Sequence, residues 1–190
     1  MEPKTKRLFA YASAAIIVLS TAPNLLQAEQ HQNVTLSGNV QTIKLRGAGT
    51  ALQLHTTQPG TNQINVTAED NIGCSFATRV SQEGDVLLIE VVKEGFRFGP
   101  WCDPDLAIAM PAGLGLDIGL ENLAANIQGA FGDITIRSEN SVIQFDGRAD
   151  HFAMTGRKAA LDLNFAAEMS RDDVQINVDV VLSDIDFSGA

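Results

Sequence analysis

The chain carries two cysteines, Cys74 and Cys102. Both lie beyond a basic, then apolar N-terminal segment of the export type, and an oxidising compartment favours a disulfide between them. A redox pair or a metal site is the alternative, but the spacing is not Cys-x-x-Cys and no His or Cys cluster accompanies it. Between the cysteines sits the one aromatic-rich segment, Gly95 to Trp101, with Phe96, Phe98 and Trp101. Flanked by Asp103 and Asp105, these rings could stack on a sugar or anchor a protein partner; equally, they could pack over the end of a core. Asp146, Asp150 and His151 fall near one turn, and Asp172 and Asp173 near another. Paired acids serve glycoside cleavage, yet acids at turns are usually solvated turn residues. The histidines, at 31, 55 and 151, share no motif, and there is no Gly-x-Ser-x-Gly, His-Glu-x-x-His or phosphate-binding loop. Gly129-Ala130-Phe131-Gly132-Asp133 approaches a calcium nonapeptide once, where such sites need it repeatedly. The residues therefore assign no catalytic group, no metal and no cofactor.

What must position these residues is a repeat. From Leu116 to Leu163, pairs of core-type residues recur every nine positions: Leu116/Ile118, Ala125/Ile127, Ile134/Ile136, Ile143/Phe145, Phe152/Met154 and Leu161/Leu163. The residue inside each pair is polar in five of six cases, so each unit is a short strand with one buried face. One such unit cannot bury its face alone, whereas stacked copies share a core. Val34/Leu36, Ile43/Leu45 and Leu52/Leu54 show the same interval. Gly38, Gly47, Gly129, Gly147 and Gly156 each follow a pair by two residues, where corners with positive φ are expected. The expected fold is all-β: a parallel β-helix-like β-solenoid with about two nine-residue strand units per coil. Residues eighteen apart should then stack in one sheet.

Residues 1–28 read as a signal peptide, with Lys4, Lys6 and Arg7 before an apolar run and Leu26-Gln27-Ala28 as the cleavage site. That run is shorter than a membrane span, and acidic or amide residues interrupt every later one. Residues 29–190 then form a single β-solenoid domain. Its irregular section, about 58–104, is read as an interruption carrying a hairpin whose strands flank Ser81 to Asp85. The remaining break in phase, Ala166 to Asp173, is expected to be a loop protruding at a corner. The mature chain has 10 basic and 22 acidic side chains, a formal charge of −12. That surplus disfavours nucleic acid and anionic lipid, which need a basic surface.

The segment Leu106-Ala107-Ile108-Ala109-Met110-Pro111-Ala112-Gly113-Leu114 and the unit Gly132-Asp133-Ile134-Thr135-Ile136 resemble the bacterial putative-adhesin β-strand-repeat family, related to auto-transporter adhesin head domains. The resemblance covers about Val34 to Gly189 and departs from the pattern in having one clean Gly-Asp rung in the long array. It implies an exported, periplasmic or extracellular module of the cell envelope and transfers no catalytic residue. The functional expectation is a non-catalytic structural or binding module, taking an envelope glycan or protein partner on ladders such as Asn126/Gln144/Asp162, or a second copy at an open end. The alternative is a carbohydrate-active enzyme on the same scaffold, with Asp146 and Asp150 as its acids.

Overall fold

The computed structural model describes residues 30–58, 60–69, 76–93 and 104–189. Five long strands dominate it: β2 (Thr42–Thr57), β7 (Gly115–Ala130), β8 (Ile134–Arg148), β9 (Phe152–Ala166) and β10 (Val174–Gly189). They lie side by side in that order, all parallel. Leu116 pairs with Ile134 and Ile134 with Phe152, while Ala125 pairs with Ile143 and Ile143 with Leu161. From β7 to β9 the stacking interval is therefore the eighteen residues that the periodicity demands, and from β9 to β10, where Phe152 pairs with Val174, it is 22; a slip of one would turn every core side chain outward.

Each long strand has two arms. In β8, Ile134, Ile136 and Ser138 are buried, and then Ser141, Ile143 and Phe145 are, so the inward parity shifts by one between 138 and 141. Ser138 occupies this bend, its hydroxyl donating to the carbonyls of Glu121 at 3.2 Å and Asn140 at 3.0 Å. The arms fold toward each other. Phe152 and Phe165, in opposite arms of β9, have ring centroids 5.4 Å apart. Their separation of 165 − 152 = 13 residues would span ~43 Å in a straight strand at ~3.3 Å per residue. Phe145 lies against both rings, at 5.5 Å and 5.1 Å, and Phe165 stacks on Phe187 at 5.2 Å. The inward faces of both arms thus share one core, which includes Ile43, Leu54, Ile118 and Phe131.

The remaining strands complete a mixed, unclosed ten-stranded sheet around β2. The first arm of β2 pairs with β5 (Val86–Lys93) and its second arm with β6 (Asp105–Pro111), both parallel. β4 (Phe76–Glu83) and β5 form the hairpin expected around Ser81 to Asp85. β3 (Gln63–Glu69) is antiparallel to β6, and β1 (Gln30–Thr35) antiparallel to β3. Among the described residues there is no α-helix, and none is long and apolar enough to cross a membrane.

Three expectations change here. Val34/Leu36 keeps the nine-residue phase but does not join the parallel stack; Val34 pairs antiparallel with Ile64. Strand alternation is the same in both pairing senses, so phase alone could not separate them. The section after residue 58 does not come between the two arrays either. Ile43 pairs directly with Leu116 and Leu52 with Ala125, while β3 to β6 fold back over the other edge of β2. Finally, the break at 166–173 is no simple protrusion: Ala166 and Met169 are buried, the Met169 sulfur accepts from the Ala149 amide, and a 3-10 turn (Arg171–Asp173) capped by Ser170 leads into β10.

Positive φ occurs at Gly38, Gly47, Gly129 and Gly147, four of the five corner glycines named from sequence. Gly156 is constrained differently: any side chain there would strike the Ser138 carbonyl of the strand beside it.

Candidate functional site

Stacking in register turns single residue choices into rows. One position before each second-arm core pair, the parallel strands present Ala51, Ala124, Val142, Ala160 and Leu182 to the outside, each paired with the next. This apolar row crosses five strands, and Val142 and Leu182 are 61% and 78% exposed. On one side runs an outward row of Gln53, Asn126, Gln144, Asp162 and Asp184. On the other run Asn122, Asn140, Lys158 and Val180. The amides knit the rows together: Asn126 donates to Gln144 at 3.3 Å and Asn140 to Asn122 at 3.0 Å.

Between the apolar row and the Gln53-to-Asp184 row lies an open groove of about 950 Å³, running across the strands. Ala107, Thr67 and Glu69 close its β6 end. Glu69, Asp105, Asp162 and Asp184 line it, and its lining includes no Lys or Arg. A shallower groove of about 570 Å³ follows the opposite flank of the same apolar row. Small side chains keep the floor low, while amides repeat at the strand spacing of ~4.8 Å. The arrangement can hold an extended molecule lying along the stack, with methyl groups beneath it and hydrogen-bonding groups at regular intervals beside it.

The outer face of the first arm carries a different device. Asp117 of β7 is flanked by Arg46 of β2, whose Nη2 is 2.7 Å from Oδ2, and by Arg137 of β8, whose Nη1 is 2.6 Å from Oδ1. Arg46 also donates to the main-chain oxygens of Leu45 and Asp117. Gly119 lies opposite Arg46 in the register and leaves room for its side chain, since a Cβ there would lie 3.1 Å from the Arg46 Nη1. Partial burial alone would raise the Asp117 pKa, but the hydrogen bond and charge of Arg46, joined by Arg137, outweigh it and hold the carboxyl below its usual value. With one carboxylate shared between two guanidinium groups, this cluster clamps three strands.

The residues singled out from sequence are placed unevenly. Cys74, Cys102, Phe96, Phe98 and Trp101 lie outside the described residues. The calcium-like segment is instead a core element, since Phe131 is buried with its ring 6.3 Å from that of Phe145. Asp146 accepts from Asn164 at 3.3 Å within an outward ladder, and Asp150 is exposed. His151 lies 3.7 Å from Asp173, which joins the two acidic corners, but His151 is largely exposed. Among the described residues no group of three or more His, Cys, Asp or Glu side chains could hold a metal ion. The ladder Asn126/Gln144/Asp162 is present as expected. The apolar row beside it carries a sequence signal only in Ala124, Val142 and Ala160, which are eighteen residues apart; Ala51 and Leu182 join it through intervals of other lengths.

No family model and no curated protein matches the chain. Among solved structures it is similar to a putative cell adhesion protein from Clostridium sporogenes, with a TM-score of 0.42 and 11% identity over 85% of this chain and 99% of that one. It is also similar to a putative adhesin from Bacteroides fragilis, with a TM-score of 0.29 and 10% identity over 82% and 96%. A putative lipid binding protein from Parabacteroides distasonis aligns with a TM-score of 0.22 and 8% identity over 85% and 95%. At such scores the functional reading rests on the site itself.

Proposed function

We propose that the chain is a non-catalytic binding module of the cell envelope, exported by its N-terminal signal, and that its groove takes an extended ligand such as an envelope glycan. The parallel stack is read as a β-solenoid. The eighteen-residue register and the contact between the two arms of β9 support that reading. The observation that carries the functional proposal is the outward apolar row Ala51, Ala124, Val142, Ala160 and Leu182, bordered by amides on both sides. A valine as exposed as Val142 buries little of its apolar surface in the sheet, and apolar rows rimmed by polar groups mark interaction sites. A β-linked glycan fits, because its sugars present alternating apolar faces and hydroxyls at an interval close to that of the strands. Cys74 and Cys102 are proposed to close a disulfide around Phe96, Phe98 and Trp101; free thiols in the denatured, non-reduced protein would exclude it.

The test is binding on a glycan array and pull-down from envelope extract, with Val142→Lys and Ala124→Arg as groove variants. Both positions are exposed, so the expected result is lost binding with unchanged melting. Binding that survives both variants would move the site elsewhere. Reducing-end release abolished by Asp146→Asn or Asp150→Asn would replace the reading with a carbohydrate-active enzyme.

A further inference from the structure

The described residues expose five large apolar side chains strongly, and four of them, Val180, Val181, Leu182 and Ile185, belong to β10. Among the described residues this strand is last in the sheet order and pairs on one edge only, with β9. Its other edge pairs with no strand among the described residues, and Val174, Ile176, Val178 and Phe187 of its two arms are only partly covered.

We propose that the β10 edge is the docking surface for a second copy of this chain, through twofold antiparallel pairing. The register follows from the fold. Phe152 and Phe165 face each other across the arms of β9. Val174 pairs with Phe152, and Phe187 stacks on Phe165, so Val174 and Phe187 occupy the equivalent facing positions in β10. A twofold axis running between the arms therefore brings residue i of one copy against residue 361 − i of the other. On the inward side this pairs Val174 with Phe187, Ile176 with Ile185 and Val178 with Ser183. On the outward side it pairs Gln175 with Asp186, Asn177 with Asp184 and Asp179 with Leu182. No acid opposes an acid, and each carboxylate at 184 and 186 meets an amide. A shift of the sum to 363 would instead set Asp179 against Asp184, a like-charge pair that opposes pairing.

The area suits a self-limiting dimer. Two arms of about eight residues at ~3.3 Å each, with ~10 Å of thickness per sheet, make an end face on the order of 500 Å² per copy. The pair then buries about 1,000 Å², the lower bound for a specific interface. Association is thus weak and concentration-dependent. Because both copies are acidic, with a formal net charge of −10 for the whole chain, salt strengthens the dimer by screening.

Sedimentation of the purified protein over a concentration series, at about 0.1 M and about 1 M salt, tests this. The expected result is a monomer–dimer equilibrium that shifts toward dimer at high salt and disappears in Ile185→Lys. Register is read by disulfide trapping: the double variant Asn177→Cys/Asp184→Cys should form a covalent dimer, and Asn177→Cys/Val180→Cys should not. Asn177 and Asp184 point outward from opposite arms, so the trapped bond reports a second copy. A monomer at every concentration and salt, with no trapped dimer, overturns the proposal. Trapping through 177 and 180 in place of 177 and 184 overturns the register.

Discussion

The fold-back of β9 makes a quantitative prediction about Phe152 and Phe165. Both are fully buried, and their rings meet edge to face at 5.4 Å with an interplanar angle of 75°. Such pairs contribute about 0.5–1.5 kcal/mol beyond the area they bury. Replacing either ring with leucine keeps the site apolar and should cost about 1–2 kcal/mol. The double variant Phe152→Leu/Phe165→Leu should then lose less than the sum of the single losses, by about 0.5–1.5 kcal/mol. Urea denaturation followed by far-ultraviolet circular dichroism supplies all four corners of the cycle. As a control, Phe152→Leu combined with Ile43→Val should be additive, because three strand spacings of ~4.8 Å separate β9 from β2. Additivity of the two phenylalanine substitutions to within about 0.3 kcal/mol would refute the reasoning, because a straight strand would hold the rings ~43 Å apart.

Three other outcomes follow from the geometry. Ile134→Asp places a charge between Leu116 and Phe152 and should lower stability by more than about 3 kcal/mol, while the uncharged Thr135→Asn, one residue along and facing outward, should stay within about 0.5 kcal/mol by the same denaturation assay. Gly147→Ala must hold a φ of 146° and strike the Gly129 carbonyl, whereas Gly84→Ala holds a φ of 62° in open space; the first should lower the melting temperature more than the second. The folded Asp117 carboxyl titrates below the ordinary aspartate value of 3.8, so its contribution is fully present above that pH and fades as the pH falls through the folded value. The stability gap between the parent and Asp117→Asn should therefore shrink on acidification below about pH 4, and a gap independent of pH would contradict the Arg46 and Arg137 pairing.

The parallel register was legible because an inward side chain has few substitutes: Ile134, Ile143 and Phe152 had to be apolar wherever their rows crossed the core. Edge pairing was not legible. Val34 alternates as Ile43 does, yet its partner is the antiparallel Ile64, and nothing in a period of two records direction. Nor could periodicity reveal that β2 takes β5 and β6 on one edge and β7 on the other. For the candidate site, the Asn126/Gln144/Asp162 ladder could be read because polar residues inside apolar pairs stand out. Its apolar neighbour hid in plain composition, since Ala124 and Ala160 adjoin core residues and merge with them in a linear reading. The Asp117 cluster was not legible because Arg46, Asp117 and Arg137 are far apart in the chain and meet only once β2, β7 and β8 lie in register.

Stacking by nearest neighbours gives this molecule a direction in time as well as in space. Each long strand is held only by the strands on either side, so opening can begin at an end and travel inward like a zipper. Among the described residues β10 has one neighbour and exposed side chains, whereas β7 and β8 have two neighbours each. Amide exchange should accordingly be fastest in β10 and slow progressively toward β7, with Leu182 and Asp184 leaving the groove before Ala124 and Asn126 do. A ligand spanning the whole row would act as a splint, and its hold on the last strand would be felt as slower exchange there first.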